Sequence, residues 1–176
     1  SDLDRGAPVA NLIIVDFWTR ASSRDCGLKK AKMRILIVGA GAVGQVYGYF
    51  AQQGGAQIGF YVRPQYHSDI ESTISIFSAR TPHLRQDIIG HRVISQLKDI
   101  HDEWGEVWLC ISSDSLKKGE WLQSLLKQIP SARLLSFTPG MTDKDWLLQR
   151  FPSRHIAYGI IPFLAWNPPA ATTSAI

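Results

Sequence analysis

Short apolar stretches alternate with segments of helical periodicity along most of the chain, beginning at Met33. A short continuous apolar run predicts a buried strand, whereas apolar residues three and four positions apart predict a helix that packs on one side. Strands are predicted at 34–38, 57–62, 106–111, 132–138 and 155–162, and helices at 43–53, 116–128 and 143–149. This order favours an α/β fold with a mostly parallel sheet and helices on both faces.

Capping residues suggest where these helices begin and end. Gly54 and Gly55 are expected to end the first helix, because glycine favours the position after a helix. Ser113 or Asp114 is expected to cap the start of the second helix, and Thr142 that of the third.

The segment 65–101 has a weaker pattern than the rest. It predicts a short helix, a strand near 72–78, and a turn at 89–92 around Gly90.

The pattern also divides the chain into three parts. Residues 33–167 form the predicted domain. Residues 1–32 show no sustained period and are expected to be an extension of unknown role, with at most a short strand at 12–17. Residues 168–176 form a tail of mostly small residues that is expected to be a cut rather than a natural end.

Composition excludes several classes of protein. The 176 residues are 45% hydrophobic and include six Trp, which excludes a disordered chain, and two Cys exclude a disulfide framework. No stretch approaches the roughly 18 apolar residues of a membrane span, so a cytoplasmic protein is predicted, without a membrane partner. The net charge is +4, but acids are interspersed with the bases, so no nucleic-acid partner is expected.

The run Gly39-Ala40-Gly41-Ala42-Val43-Gly44 carries the main chemical signal. It follows an apolar strand and opens a helix, the setting in which a G-x-G-x-x-G run binds a dinucleotide in a Rossmann-like doubly wound fold. Gly39 allows a tight turn, Gly41 lets a pyrophosphate approach the backbone, and Gly44 lets the helix approach the sheet. The alternative is a glycine turn that only packs. Gln45 excludes a Walker A loop, which needs Lys there.

Arg63 bears on the choice of cofactor. An acidic residue at the end of the second strand binds the ribose of NAD in such folds, but no acid occurs within 57–65. A guanidinium suits the 2′-phosphate of NADP instead. The sequence therefore predicts NADP over NAD, unless Arg63 is simply a solvent-facing side chain.

The ends of the later strands should reach the same crevice. Ile111 and Ser112 follow one strand and are predicted to contact the cofactor, although the serine pair Ser112-Ser113 could equally be a helix cap. Cys110 is expected to be a small buried group rather than a nucleophile. No metal-ligand spacing or serine-hydrolase motif occurs, so no metal is predicted and the catalytic residues stay unassigned.

Three blocks together resemble the N-terminal half of the ketopantoate reductase (2-dehydropantoate 2-reductase) family. They are 33–45, Val62-Arg63-Pro64 and 107–111, and the run 158–163 fits as well. The resemblance implies reduction of a 2-keto acid with NADPH in pantothenate biosynthesis. It also implies that residues 39–44 hold the pyrophosphate and Arg63 the 2′-phosphate.

The chain departs from the family pattern at two sites. Ser112 stands where the family has lysine, and Pro139 where it has asparagine, which leaves the substrate open. The family's general-acid lysine and a substrate-binding glutamate belong to a following helical domain, so this chain alone is expected to be catalytically incomplete. If that domain normally packs here, an apolar patch would be exposed, and self-association to a homo-oligomer would follow.

Three functions are compatible with these residues. The first is an NADPH-dependent reductase represented by its cofactor-binding domain. The second is a regulatory module that binds NADP(H) without chemistry, and the third is a structural domain with an empty glycine turn.

Overall fold

The computed structural model describes residues 11–12, 33–78, 85–101, 104–138, 140–152 and 155–165. The main sheet contains β2 (Arg34–Val38), β3 (Gln57–Tyr61), β6 (Arg92–Ile94), β7 (Glu106–Leu109), β8 (Arg133–Ser136) and β9 (Ile156–Tyr158). A small sheet contains β1 (Asn11–Leu12), β4 (Ile74–Ser78) and β5 (Arg85–Ile88). The helices are α1 (Ala42–Gln53), α2 (His67–Glu71), α3 (Ser113–Lys117), α4 (Trp121–Gln128) and α5 (Met141–Arg150).

All neighbouring strands of the main sheet are parallel, in the order β6-β3-β2-β7-β8-β9. After β2, the chain therefore adds β3 and β6 on one side of that strand. It then crosses over and adds β7, β8 and β9 on the other side. This is the strand order of a Rossmann domain, and the reversal lies between β2 and β7. The predicted Rossmann-like fold is confirmed.

Each face of the main sheet has its own apolar core. Alternate side chains of β2 point to opposite faces, so Leu36 and Val38 pack with α4 and α5, whereas Ile35 and Ile37 pack against α1 and the β4–β5 hairpin. Gly59 leaves space on one face for Trp104, which is only 4% exposed. The tryptophans at 104, 108, 121 and 146 pack in or against these cores.

The predicted strands are all present, at 34–38 with the predicted bounds and at the other four places shorter. The predicted helix at 116–128 is wrong as a single helix. Gly119 adopts a φ of +77°, which breaks the segment into α3 and α4. The caps also differ from prediction: Ser112, not Ser113 or Asp114, caps α3, and Gly140, not Thr142, precedes α5.

In the weakly patterned segment, α2 and β4 agree with the expected short helix and strand, and Gly90 forms the turn with a φ of +66°. The expected strand at 12–17 overlaps the structure only at β1, since residues 13–32 lie outside the described residues, as does the tail 168–176.

We expect Leu125→Ala to lower the free energy of unfolding by about 2–5 kcal/mol, because Leu125 in α4 is fully buried and its removal leaves a cavity. The matched control is Leu148→Ala in α5, where the side chain is 43% exposed and the loss should stay below about 1 kcal/mol. Urea unfolding measures both, and equal losses would contradict the assignment of the core.

Candidate dinucleotide-binding site

The carboxyl ends of the central strands meet at one edge of the main sheet. Hydrogen bonding continues past the strands, from the Gly39 amide to the Tyr61 carbonyl (3.0 Å) and from the Cys110 amide to the Val38 carbonyl (2.9 Å). The segments after β2, β3 and β7 are therefore held side by side, at the position where ligands bind in open α/β sheets.

The glycine turn between β2 and α1 has two crowded positions and one open position. Gly39 has a φ of +93°, and a Cβ there would lie 2.7 Å from the Cys110 carbonyl oxygen. A Cβ on Gly44 would lie 2.0 Å from the Gly39 carbonyl oxygen. A Cβ on Gly41 would meet no described atom within 4 Å, and its backbone is extended, with a φ of −71°. Packing therefore requires glycine at positions 39 and 44, but it does not explain why position 41 is glycine.

The start of α1 is open to an anion. No side chain of the described residues caps this helix, and its first turn contains no acidic residue. The Gln45 side chain donates to the Ala40 carbonyl (2.9 Å), which braces the turn from within. The main-chain amides and the positive end of the helix dipole consequently face the crevice, an arrangement that favours phosphate.

A cleft of about 240 Å³ lies beside this turn. It is lined by Gly41, Ala42, Val43, Cys110, Ile111, Ser112, Phe137 and Ile161. The structure thus brings the predicted Ile111 and Ser112 together with the turn, while Gly39, Ala40 and Gly44 belong to the turn but do not line the cleft. Whether these residues bind a cofactor stays a prediction.

Ser112 both lines the cleft and caps a helix. Its hydroxyl accepts a hydrogen bond from the Ser115 amide (3.3 Å) and donates to the Ser115 hydroxyl (3.0 Å). The helix-cap alternative is therefore correct for Ser112, and the predicted cofactor contact stays a prediction.

Cys110 follows β7 directly and is partly buried. Burial raises the pKa of its thiol well above the ordinary value, so the thiol stays protonated at neutral pH. This agrees with the prediction of a small packed group rather than a nucleophile.

An aromatic cluster around Tyr47 and Phe137 supports the wall of the cleft that Phe137 and Ile161 form. The Tyr47 ring of α1 stacks on Phe137, with ring centroids 4.0 Å apart, and its hydroxyl donates to the Ile160 carbonyl (2.6 Å). Burial, with the nearby Cys110, raises the pKa of Tyr47 to about 12. The cluster positions Ile161, which sequence reasoning missed because it follows the last strand and carries no chemical signal.

Arg63 lies at the end of β3, on the same edge of the sheet, and is exposed. Its guanidinium carbon is 5.0 Å from the centre of the Tyr66 ring, and Nη2 donates to the Tyr66 hydroxyl (3.4 Å). Tyr66 belongs to a short 3₁₀ turn, Pro64–Tyr66, that follows the strand. The arrangement leaves a cation and an aromatic ring open to a ligand, although Arg63 does not line the cleft described above.

The strand order, the glycine turn at the reversal and the open helix start are together the features of the Rossmann class of folds. Within the described ranges, no group of acidic, His and Cys side chains is arranged to hold a metal ion. None of the helices in those ranges is long and apolar enough to cross a membrane.

The sequence matches the family model of ketopantoate reductase PanE/ApbA over residues 35–171. The chain therefore belongs to this family, as its motifs predict, and is a ketopantoate reductase-like domain of an oxidoreductase family. A comparison with curated proteins gives no match.

Solved structures share the fold at low sequence identity. A 2-dehydropantoate 2-reductase from Methylococcus capsulatus is 19% identical, with a TM-score of 0.60 over 73% of this chain and 40% of that chain. D-Mandelate dehydrogenase, solved with NADH and anilino(oxo)acetate, is 20% identical, with a TM-score of 0.59 over 73% and 40%. Yersinopine dehydrogenase, solved with NADP+, is 18% identical, with a TM-score of 0.50 over 72% and 34%. The chain thus spans about 40% of the length of the first two proteins.

We expect Gly44→Ala and Gly41→Ala to differ in stability. A Cβ at position 44 collides with backbone and should lower the free energy of unfolding by at least about 2 kcal/mol, whereas position 41 has room and should change it by less than about 1 kcal/mol. Urea unfolding of the two variants decides this, and similar losses at both positions would contradict the geometry of the turn.

Proposed function

We propose that this chain is the cofactor-binding domain of an NADPH-dependent reductase that acts on a 2-keto acid. The observation that carries the proposal is the open position at Gly41, beside an uncapped helix start and at the reversal of strand order. Internal packing does not require glycine there, whereas the close approach of a pyrophosphate does. The residues present therefore fit a nicotinamide dinucleotide.

In this proposal residues 39–44 bind the pyrophosphate through main-chain amides. Arg63 binds the 2′-phosphate, because the end of β3 offers a guanidinium and residues 57–65 contain no carboxylate for a ribose hydroxyl. Tyr66 holds the guanidinium from one side by a cation–π contact. Related folds have been solved with NADH and with NADP+, so the fold is compatible with either dinucleotide, and Arg63 supports NADP.

The nicotinamide would occupy the cleft, where Ile111, Phe137 and Ile161 offer apolar walls that exclude water. A bound nicotinamide cofactor supplies or accepts a hydride. The reduction also needs a proton donor, and the described lining residues offer no acid or base that is suited to this: the Ser112 hydroxyl caps a helix, and the Cys110 thiol has a raised pKa. The donor would then come from outside these residues, as the family resemblance implies.

The substrate class rests on family membership. The likeness to a 2-dehydropantoate 2-reductase favours a ketopantoate-like 2-keto acid. Ser112 and Pro139 replace the lysine and asparagine that the family resemblance leads us to expect, and Pro139 lies outside the described residues. Another carbonyl compound is therefore the substrate to test beside ketopantoate.

The second candidate function is a regulatory module that binds NADP(H) without chemistry. The same observation favours it, since the described lining offers no suitable proton donor. Such a sensor must distinguish the two redox forms. A preference of about tenfold or more for NADPH or NADP+, without turnover in any longer form of the protein, would favour this function over the reductase.

We expect Arg63→Ala to weaken NADPH binding by about 10- to 100-fold, the equivalent of one or two charge-assisted hydrogen bonds. NADH, which lacks the 2′-phosphate, should bind Arg63→Ala as it binds the wild type. Titration calorimetry with both dinucleotides measures the change.

The matched control is Arg133→Ala, which removes the same charge from the opposite edge of the sheet and should leave both affinities unchanged. If Arg63→Ala prefers NADPH over NADH as strongly as the wild type does, Arg63 does not bind the 2′-phosphate. If the folded wild type binds neither dinucleotide, the proposal is refuted.

We expect residues 1–176 alone to bind NADPH but to oxidise it with ketopantoate slowly or not at all. The reason is that the described lining of the cleft offers no suitable proton donor, a group that typically contributes about 10²- to 10⁴-fold to such a step. Loss of NADPH absorbance during incubation with ketopantoate measures turnover, and substantial turnover by the purified chain would contradict the prediction.

A further inference from the structure

We propose that Asp143 is a positioning residue for the nicotinamide half of the site. Its carboxylate joins the two segments that follow β7 and β8 and thereby sets the shape of the cleft between them. This inference rests on the proposed function, because it concerns the geometry of the same site.

Asp143 is the one charged side chain of the described residues that is almost fully buried, with 1% exposure. Its Oδ2 accepts a hydrogen bond from the Ser113 hydroxyl, and its Oδ1 lies 2.7 Å from the Lys117 ammonium. Ser113 and Lys117 are the first and last residues of α3. One carboxylate therefore holds both ends of a helix that, at five residues, is too short to be stable alone.

The same carboxylate also binds the segment after β8. The Gly140 backbone donates to it, and a Cβ on Gly140 would lie 2.6 Å from Oδ2 and 3.2 Å from the Ser113 hydroxyl. Glycine at this position thus lets the segment after β8 approach both Asp143 and α3. Lys117 extends the contact by donating to the Thr142 hydroxyl (3.1 Å).

The carboxylate is held in its charged form. Burial alone would raise the pKa of Asp143, but the hydrogen bonds from Lys117 and Ser113 and the charge of Lys117 lower it below its ordinary value. A buried carboxylate with this number of partners fixes the geometry of the groups around it.

The connected segments carry walls of the cleft. Ser112, which lines the cleft and caps α3, precedes Ser113 directly, and Phe137 lies on the segment that ends at Gly140. Loss of the carboxylate would release α3 from the segment after β8 and widen the gap between Ser112 and Phe137. The glycine turn and Arg63, which serve the other half of a dinucleotide, are not part of this contact.

A matched control exists at the opposite end of the same two strands. Arg133 and Glu106 begin β8 and β7, pair in register and form an ion pair of 2.6 Å at the edge away from the cleft. Arg133→Gln removes an ion pair between the same strands without touching the proposed site.

The test compares NADPH with adenosine 2′,5′-bisphosphate, which has the adenine, ribose and 2′-phosphate but no nicotinamide. In Asp143→Asn we expect NADPH to bind about tenfold more weakly and its fluorescence enhancement to fall, whereas the affinity for the bisphosphate stays within about twofold of wild type. A merely structural role would weaken both ligands together. Arg133→Gln should bind both ligands as the wild type does.

Lys117→Gln and Ser113→Ala each remove one contact of the Asp143 carboxylate. If Asp143→Asn does not fold, the same comparison of the two ligands is made with these variants. Wild-type NADPH affinity and fluorescence in folded variants would overturn this inference alone, as would an equal loss for both ligands. A wild type that binds neither ligand would overturn the proposed function and this inference with it.

Discussion

The structure depends on a steric constraint where β2 turns into α1. Gly39 lies against the backbone that follows β7, and Gly44 lies against the Gly39 carbonyl, so neither position has room for a side chain. This close contact lets α1 start at the sheet edge and aims its first amides into the crevice. This close contact also sets the positions of the neighbouring strand ends, the cleft and the apolar core behind the turn.

Most of the fold could be predicted from the sequence because buried parallel strands are continuous apolar runs and their helices have a clear period. Errors arose where a single backbone angle decides the outcome. Gly119 divides one predicted helix into two, and the sequence pattern alone does not reveal its positive φ. The caps were misplaced for a related reason, since Ser112 and Ser113 have the same local propensity and only the strand end decides between them.

The residues of the candidate site likewise include some that could be predicted from the sequence and some that could not. The glycine turn, Ile111, Ser112 and Arg63 could be proposed because each follows a predicted strand, and strand ends converge at one edge. Ile161 and Tyr47 could not, because an apolar side chain and a ring on a helix face give no chemical signal. Asp143 escaped notice for another reason: an acid in the first turn of a helix is normally solvent-exposed and explained by the helix dipole. Its burial depends on the glycine at 140 and on Lys117 across the gap.

Two of the ion pairs that connect the segments of β7 and β8 differ in their access to water. At the edge away from the cleft the side chains of Arg133 and Glu106 are 64% and 17% exposed, whereas at the cleft edge those of Lys117 and Asp143 are 34% and 1% exposed. Mobile ions weaken the attraction between exposed charges, over a screening length of about 10 Å at 0.1 M salt that shortens as salt rises, and they screen buried pairs much less. Rising ionic strength would therefore weaken the Arg133–Glu106 pair more than the Lys117–Asp143 pair, so that the contact at the cleft depends less on salt than the contact at the far end of the strands.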